Sequence, residues 1–194
     1  MKYINVLPAA AIVAALSCVT TSPAQAAPAT LPESNVLFLL GQKSLDSGDW
    51  KPVESQVEWG VVADLGRKDS VANLVISYLS SKDDSERDGI KYSGDTQEIG
   101  LGIRKPFRIN PGVAPFVELG AAYVDATLES RGPSAQSSSD SAFGLWAGAG
   151  ANFAVGEILV VGIDVRYTSA SVTLLGKDRE AGGLHFGIMA GIGF

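Results

Sequence analysis

The chain has 194 residues, one cysteine, one histidine and a formal net charge of −6 from 15 basic and 21 acidic side chains. An acidic balance of this kind argues against nucleic acid as a partner. The lone thiol, Cys18, excludes a disulfide framework and thiolate metal sites downstream of it.

The first segment reads as a secretory signal. Lys2 precedes an apolar stretch from Val6 to Val19, and Ala24-Gln25-Ala26 supplies a small-x-small cleavage site, so removal is expected after Ala26. A lipoprotein signal ending at Cys18 is the rival, but Leu16 stands one place too late for a good lipobox. Loss of Lys2 leaves 14 basic against 21 acidic residues, a mature charge of −7 on 168 residues, enough for one domain. The expected organisation is a cleavable signal (1–26), a Pro-containing leader (27–34) and one β-domain (35–194).

Eight segments then alternate with period two, which places successive side chains on opposite faces of a strand. The first is the apolar run 36–42, whose facing the sequence leaves open. The second sets Val57, Trp59, Val61, Ala63 and Leu65 against Gln56, Glu58, Gly60, Val62 and Asp64. The third sets Ala72, Leu74, Ile76 and Tyr78 against Asn73 and Ser77, and the fourth Ile99, Leu101 and Ile103 against Glu98, Gly100, Gly102 and Arg104. The fifth sets Val117, Leu119, Ala121 and Tyr123 against Phe116, Glu118, Gly120 and Ala122. In the sixth, Phe143, Leu145, Ala147, Ala149, Ala151 and Phe153 oppose Gly144, Trp146, Gly148, Gly150 and Asn152. The seventh sets Leu159, Val161, Ile163, Val165 and Tyr167 against Val160, Gly162, Asp164 and Arg166. The eighth carries Leu184, Phe186, Ile188, Ala190, Ile192 and Phe194 on one face, with His185, Gly187, Met189, Gly191 and Gly193 on the other.

The glycines fix the orientation. A soluble barrel or sandwich, the rival reading, turns its apolar face inward and its polar face to water. Glycine on a solvated strand face weakens the strand and brings no packing. Inside an eight-stranded barrel it makes room where the lumen just accommodates side chains. The apolar rows are therefore expected to face lipid, and the glycines and charges to face inward. Trp59, Tyr78, Tyr123, Phe143, Phe153, Tyr167, Phe186 and Phe194 all fall on the lipid side, several near strand ends, as interfacial girdles require. Links 66–70 and 154–157 are short, while 43–54, 81–95, 127–141 and 169–182 are expected to be long polar loops. The link 105–114 departs from this alternation.

The final strand, with Phe186, Ile188, Ile192 and the terminal Phe194, resembles the assembly strand of bacterial outer-membrane barrels. Taken over the whole mature chain, the pattern is similar to the small eight-stranded barrels typified by OmpX, the OmpA membrane domain and OmpW. The fold expected is all-β, an eight-stranded antiparallel up-and-down transmembrane barrel. The resemblance implies residence in the outer membrane, contact with its lipid and lipopolysaccharide, insertion by the barrel-assembly machinery through the C-terminal strand, and a monomer.

Inward charges within a membrane are functional candidates by default. Here Glu58, Asp64, Glu98, Arg104, Glu118, Asp164, Arg166 and His185 are expected to form a lumen network, because buried charges must pair and a narrow barrel must be filled. His185-Phe186-Gly187 lacks the His-x-Ser spacing of a lipid A deacylase, so no catalytic residue is assigned, and no cofactor or metal motif stands out. The acidic run Asp83-Asp84-Ser85-Glu86 with Asp88 lacks regular calcium-ligand spacing and reads as solvated loop charge. Lys51, Lys82, Arg87, Lys91, Arg131, Lys177 and Arg179 sit on the same side, within reach of lipopolysaccharide phosphates. Trp50 either packs over the barrel mouth, the preferred reading, or dips into the headgroup zone. The expected role is structural or interactive at the cell surface without an open pore. A conduit for small hydrophobic molecules is the alternative, and a lipid-modifying enzyme the third.

Overall fold

A computed structural model describes residues 29–68, 70–132 and 135–194. The expected signal peptide, 1–26, lies outside the described residues. Ten strands and one short helix follow in the order β1 (Asn35–Ser44), α1 (Ser47–Trp50), β2 (Ser55–Leu65), β3 (Asn73–Arg87), β4 (Ile90–Pro106), β5 (Val113–Arg131), β6 (Gln136–Val155), β7 (Leu159–Ser169), β8 (Ser171–Leu174), β9 (Lys177–Glu180) and β10 (Gly183–Gly193). Eight of them close into an antiparallel barrel in which each strand pairs with its neighbours in sequence, and β10 returns to β1. β8 and β9 form a separate hairpin over one mouth.

Closure leaves no barrel edge, so every ladder group is paired, as hydrocarbon demands. β1 and β10 run in register from Asn35 opposite Gly193 to Ser44 opposite Leu184. The latch continues below the ladder, where Phe194 N donates to Ser34 O at 2.9 Å and Ser34 N to Phe194 O at 3.2 Å.

The expected orientation is the observed one. Ile99, Leu101, Leu119, Ile163, Phe186, Ile188 and Ile192 are exposed, while Glu58, Glu98, Arg104, Glu118 and Asp164 are buried. β1 joins the pattern with Leu37, Leu39 and Lys43 inward and Val36, Phe38 and Leu40 outward. Aromatic rings meet around the outer wall: Phe38 stacks with Trp59 at 6.4 Å between centroids, while Trp59 meets Tyr78 at 5.7 Å and Tyr123 meets Phe143 at 5.2 Å edge to face.

The inward glycines stand beside the large inward groups. Gly148 separates Glu118 from Arg166, Gly150 separates Phe116 from Asp164, and Gly41 lies opposite Glu58. A Cβ on Gly102 would sit 2.5 Å from Trp146 Cζ2, and one on Gly187 would sit 2.8 Å from Leu39 Cγ. Those approaches are far inside van der Waals contact, so bulk is alternated with absence around the lumen wall.

The links differ from expectation at the hairpin end. Residues 81–95 are not a loop: β3 and β4 stay paired up to Arg87 opposite Ile90, and Asp88 and Gly89 alone turn the chain, with φ of 54° and 75°. Positive φ at both positions matches the turn whose twist suits a two-residue hairpin. Residues 127–131 and 136–141 likewise extend β5 and β6, which pair up to Ser130 opposite Gln136. Polar composition had suggested loop; strands above the membrane are wet on both faces and lose the apolar row while keeping their ladder. The link 105–114 is compact after all, closed by Phe107 N to Pro115 O at 2.7 Å and an Asn110–Val113 bridge. Short turns mark the periplasmic end and long hairpins the outside in such barrels.

Candidate functional site: the filled lumen

Two arginines organise the lower lumen. Arg104 on β4 reaches Glu118 on β5 through Nε, 2.8 Å from Oε2, and Asp64 on β2 through Nη1, 3.3 Å from Oδ2. Arg166 on β7 donates from Nη2 to the other oxygen of Glu118 at 3.1 Å and from Nη1 to Ser77 Oγ at 2.9 Å. Glu118 is thus clamped by both guanidinium groups. Asn73 Nδ2 completes Asp64 at 2.7 Å. Each guanidinium also covers a ring, Arg104 over Phe116 at 3.8 Å and Arg166 over Trp146 at 4.0 Å. Such stacking needs the planar group of arginine, which lysine lacks.

The upper lumen is built around Glu98 and Glu58. His185 Nδ1 lies 2.9 Å from both oxygens of Glu58, and its Nε2 lies 3.6 Å from Glu98 Oε2. Thr168 Oγ1 donates to Glu98 Oε1 at 3.0 Å. Lys43 Nζ approaches Glu98 to 4.0 Å and donates to Thr96 Oγ1 at 3.2 Å, which in turn donates to Gln56 Oε1 at 3.0 Å.

All eight residues singled out from sequence are buried, facing inward. Seven are joined by the bonds above. Asp164 is the exception: it lies beside Glu118, in the field of Arg166 and Arg104, but its Oδ2 has no hydrogen-bond partner among the described residues. Lys43 was missed because the polar tail of β1 reads as loop, yet it continues the odd-numbered alternation of Leu37 and Leu39. Ser77 completes a guanidinium, Thr168 a carboxylate, and Thr96 links Lys43 to Gln56; their inward register was the available signal.

Described residues fold into both mouths. Above the network, the link after β1 folds into the barrel, where Trp50 and Val53 are fully buried with Leu79, Val124, Val172 and Leu174. Trp50 Nε1 donates to Glu180 O at 2.7 Å, fastening this plug to β9. Of the two placements open to Trp50, the mouth is the one adopted. At the opposite end Leu31 is buried, its N donating to Pro111 O at 2.8 Å, and Arg108 holds Leu31 O at 3.2 Å and Glu33 at 2.9 Å. The four residues Phe186, Ile188, Ile192 and Phe194 lie outward on or just after β10, exposed along the seam with β1.

The acidic run 83–88 is divided by strand alternation: Asp84 and Glu86 are exposed, Asp83 and Ser85 turn the other way. Its carboxylates therefore do not converge. Lys82 pairs with Asp84 at 3.5 Å, Arg87 with Asp88 at 3.8 Å and Arg131 with Glu129 at 3.0 Å, all exposed but the half-buried Glu129.

Comparison with known proteins agrees with this architecture. The crystal structure of Ail, the attachment invasion locus protein of Yersinia pestis, superposes with a TM-score of 0.56 at 19% identity, over 84% of this chain and 99% of that one. Ail has also been solved in complex with the heparin analogue sucrose octasulfate. Neisserial surface protein A gives a TM-score of 0.61 at 15% identity, over 83% and 96% of the two chains. The N-terminal barrel domain of Pseudomonas aeruginosa OprF gives 0.55 at 16% identity, over 85% and 100%. These likenesses establish the fold. No curated protein matches the sequence. The model of the outer membrane protein beta-barrel domain, however, matches residues 11–194, nearly the whole chain, and the protein belongs to that family of bacterial outer-membrane barrels.

Proposed function

We propose that the protein is a non-conducting, non-enzymatic barrel whose work is done at the cell surface, in attachment or in maintaining the outer membrane. The observation that carries this reading is the sealed lumen: an ion-pair network at mid-height, the Trp50–Val53 plug above and the Leu31 strap below. Eight strands enclose only enough space for side chains. His185 is committed to two carboxylates and has no nucleophile among its hydrogen-bond partners. What remains available to partners is the outer end, where the β3–β4 and β5–β6 hairpins continue past the aromatic belt. The likeness to Ail, an attachment and invasion protein, supports the same reading.

On the outward face of these hairpins Lys82, Lys91 and Arg131 stand above the lipid-facing rings and meet lipopolysaccharide phosphates. The chain is exported on its signal segment, inserted by the assembly machinery through β10, and works as a monomer.

Recording in planar bilayers tests the reading directly. Reconstituted protein is expected to give no conductance steps, and bacteria producing it to attach to host-cell layers better than bacteria producing a form with both tall hairpins shortened. Stable conductance steps would overturn it, and equal attachment by the two strains would strike out attachment and leave the maintenance role. The competing role, a conduit for small hydrophobic molecules, requires the plug to open and predicts faster solute uptake by producing cells.

A further inference from the structure

Between the β4–β5–β6 hairpins and the β8–β9 hairpin lies an open vestibule of about 450 Å³. Its wall includes Ile90, Tyr92, Leu128 and Leu175, together with two cations, Lys51 and Arg179. Ser130 and Gln136 supply polar contacts, and no carboxylate among the described residues lines the space. In a chain of net charge −6 this is a local reversal of sign.

Acids on the flanking segments are turned to donors outside the vestibule. Asp140 accepts from Thr173 N at 2.7 Å, Asp178 from Thr173 Oγ1 at 2.9 Å and Asp49 from Glu180 N at 3.1 Å. Glu180 accepts from Ala170 N and Gly182 N. Arg179 and Lys51 form no ion pair among the described residues, and Arg179 Nε is enclosed without a hydrogen-bond partner. Leu175 N is meanwhile held by Ser138 Oγ at 3.1 Å, which fixes the β8–β9 turn against β6 and keeps the wall in place.

We propose that this vestibule binds a single-chain amphipathic anion, of the fatty-acid carboxylate class. The head group meets Lys51 and Arg179, and the chain lies along Ile90, Leu128, Leu175 and the Tyr92 ring. The volume falls within the range of small-molecule sites, and an apolar wall with a few polar groups is their usual lining. A polyanionic glycan fits less well, since two cations beside an aliphatic wall offer it little charge and waste the apolar surface. The site is independent of whether the barrel serves attachment.

Octanoate is the probe, titrated against isotope-labelled protein in lipid nanodiscs and followed by backbone amide shifts. Saturable changes are expected at Ser130, Gly132 and Leu175. Arg179→Gln is expected to weaken binding about tenfold, the loss of one charge-assisted hydrogen bond. Lys51→Gln, at an exposed position, provides a second variant, and boiling-dependent gel migration verifies that each is folded. Octanol and inorganic sulfate are expected to bind at least tenfold more weakly than octanoate. Octanol binding as tightly as octanoate would remove the cations' role, and sulfate binding as tightly would remove the chain's. Shifts confined to the lipid-facing rows of Leu119 and Ile163, or equal affinity in folded variants, would overturn the site altogether.

Discussion

The mid-barrel and the outer hairpins carry similar side chains under opposite physical conditions. At mid-height Arg104, Arg166, Glu118 and Asp64 are almost wholly buried and each guanidinium serves two partners. On the hairpins Lys82, Asp84, Glu129 and Arg131 pair one to one, with Lys82 and Asp84 both more than half exposed. Water screens the second set and leaves it worth little. In the first set each charge was stripped of water and depends on its neighbours. The same residue types therefore build a rigid centre in one place and a substitutable surface in the other.

Removing one partner from the centre is the most severe way to break this contrast. Arg104→Leu leaves Asp64 without its cation and Glu118 with one of two, and is expected to cost about 3–5 kcal/mol in urea unfolding from lipid vesicles. A loss near that of a surface pair would show that lumen water substitutes for the guanidinium. Charging the lipid wall comes next. Ile163→Arg, at mid-strand, is expected to cost roughly 2–4 kcal/mol by the same measurement. Indifference to it would place that row away from the hydrocarbon.

Gly102→Val probes packing rather than charge. Its side chain would meet the Trp146 ring, and overpacking of this kind costs about 1–3 kcal/mol. On the hairpins, Asp84→Asn is expected to change stability by less than about 0.5 kcal/mol. The smallest effect concerns pH. The Asp140 carboxyl is held below the ordinary aspartate value by accepting backbone hydrogen bonds from Thr173 and Ser141. Its contribution is therefore present above the unfolded value and lost as pH falls through the folded one. Amide exchange at Thr173 should accelerate under acid in the wild type and show no such transition in Asp140→Asn.

The barrel was legible in the sequence because membrane strands obey two rules at once, period two and an inverted polarity. Leu119, Ile163 and Ile188 announced the lipid face, and Gly100, Gly102, Gly148 and Gly150 announced the lumen. The identities of the charged lumen residues, Lys43 excepted, followed from register alone. Their partnership did not: nothing in the spacing of residues 64, 104, 118 and 166 says that one arginine bridges two carboxylates while one of those carboxylates also receives the second arginine. That depends on shear, which sets which inward residues share a height. The tall hairpins were illegible for a different reason. Above the bilayer neither face needs hydrocarbon, so Asp83-Asp84-Ser85-Glu86 lost the apolar alternation while keeping every rung. The plug was half legible, since Trp50 is conspicuous in a polar link but Val53 and Leu174 are not.

The seam between β1 and β10 imposes an order of events. Every other ladder joins strands adjacent along the barrel's chain path, so hairpins can zip one after another as they become available. The seam instead unites Asn35 with Gly193 and Ser44 with Leu184, ends of the domain that emerge first and last during synthesis. Until β10 meets β1, the open sheet has two bare edges and a guanidinium-rich inner face open to water. The Arg166 contacts to Ser77 and Glu118 span three strands or fewer of wall, whereas His185 reaches Glu58 only once the circle is complete. That imidazole–carboxylate contact is thus a molecular signature of closure, absent from any partly assembled form.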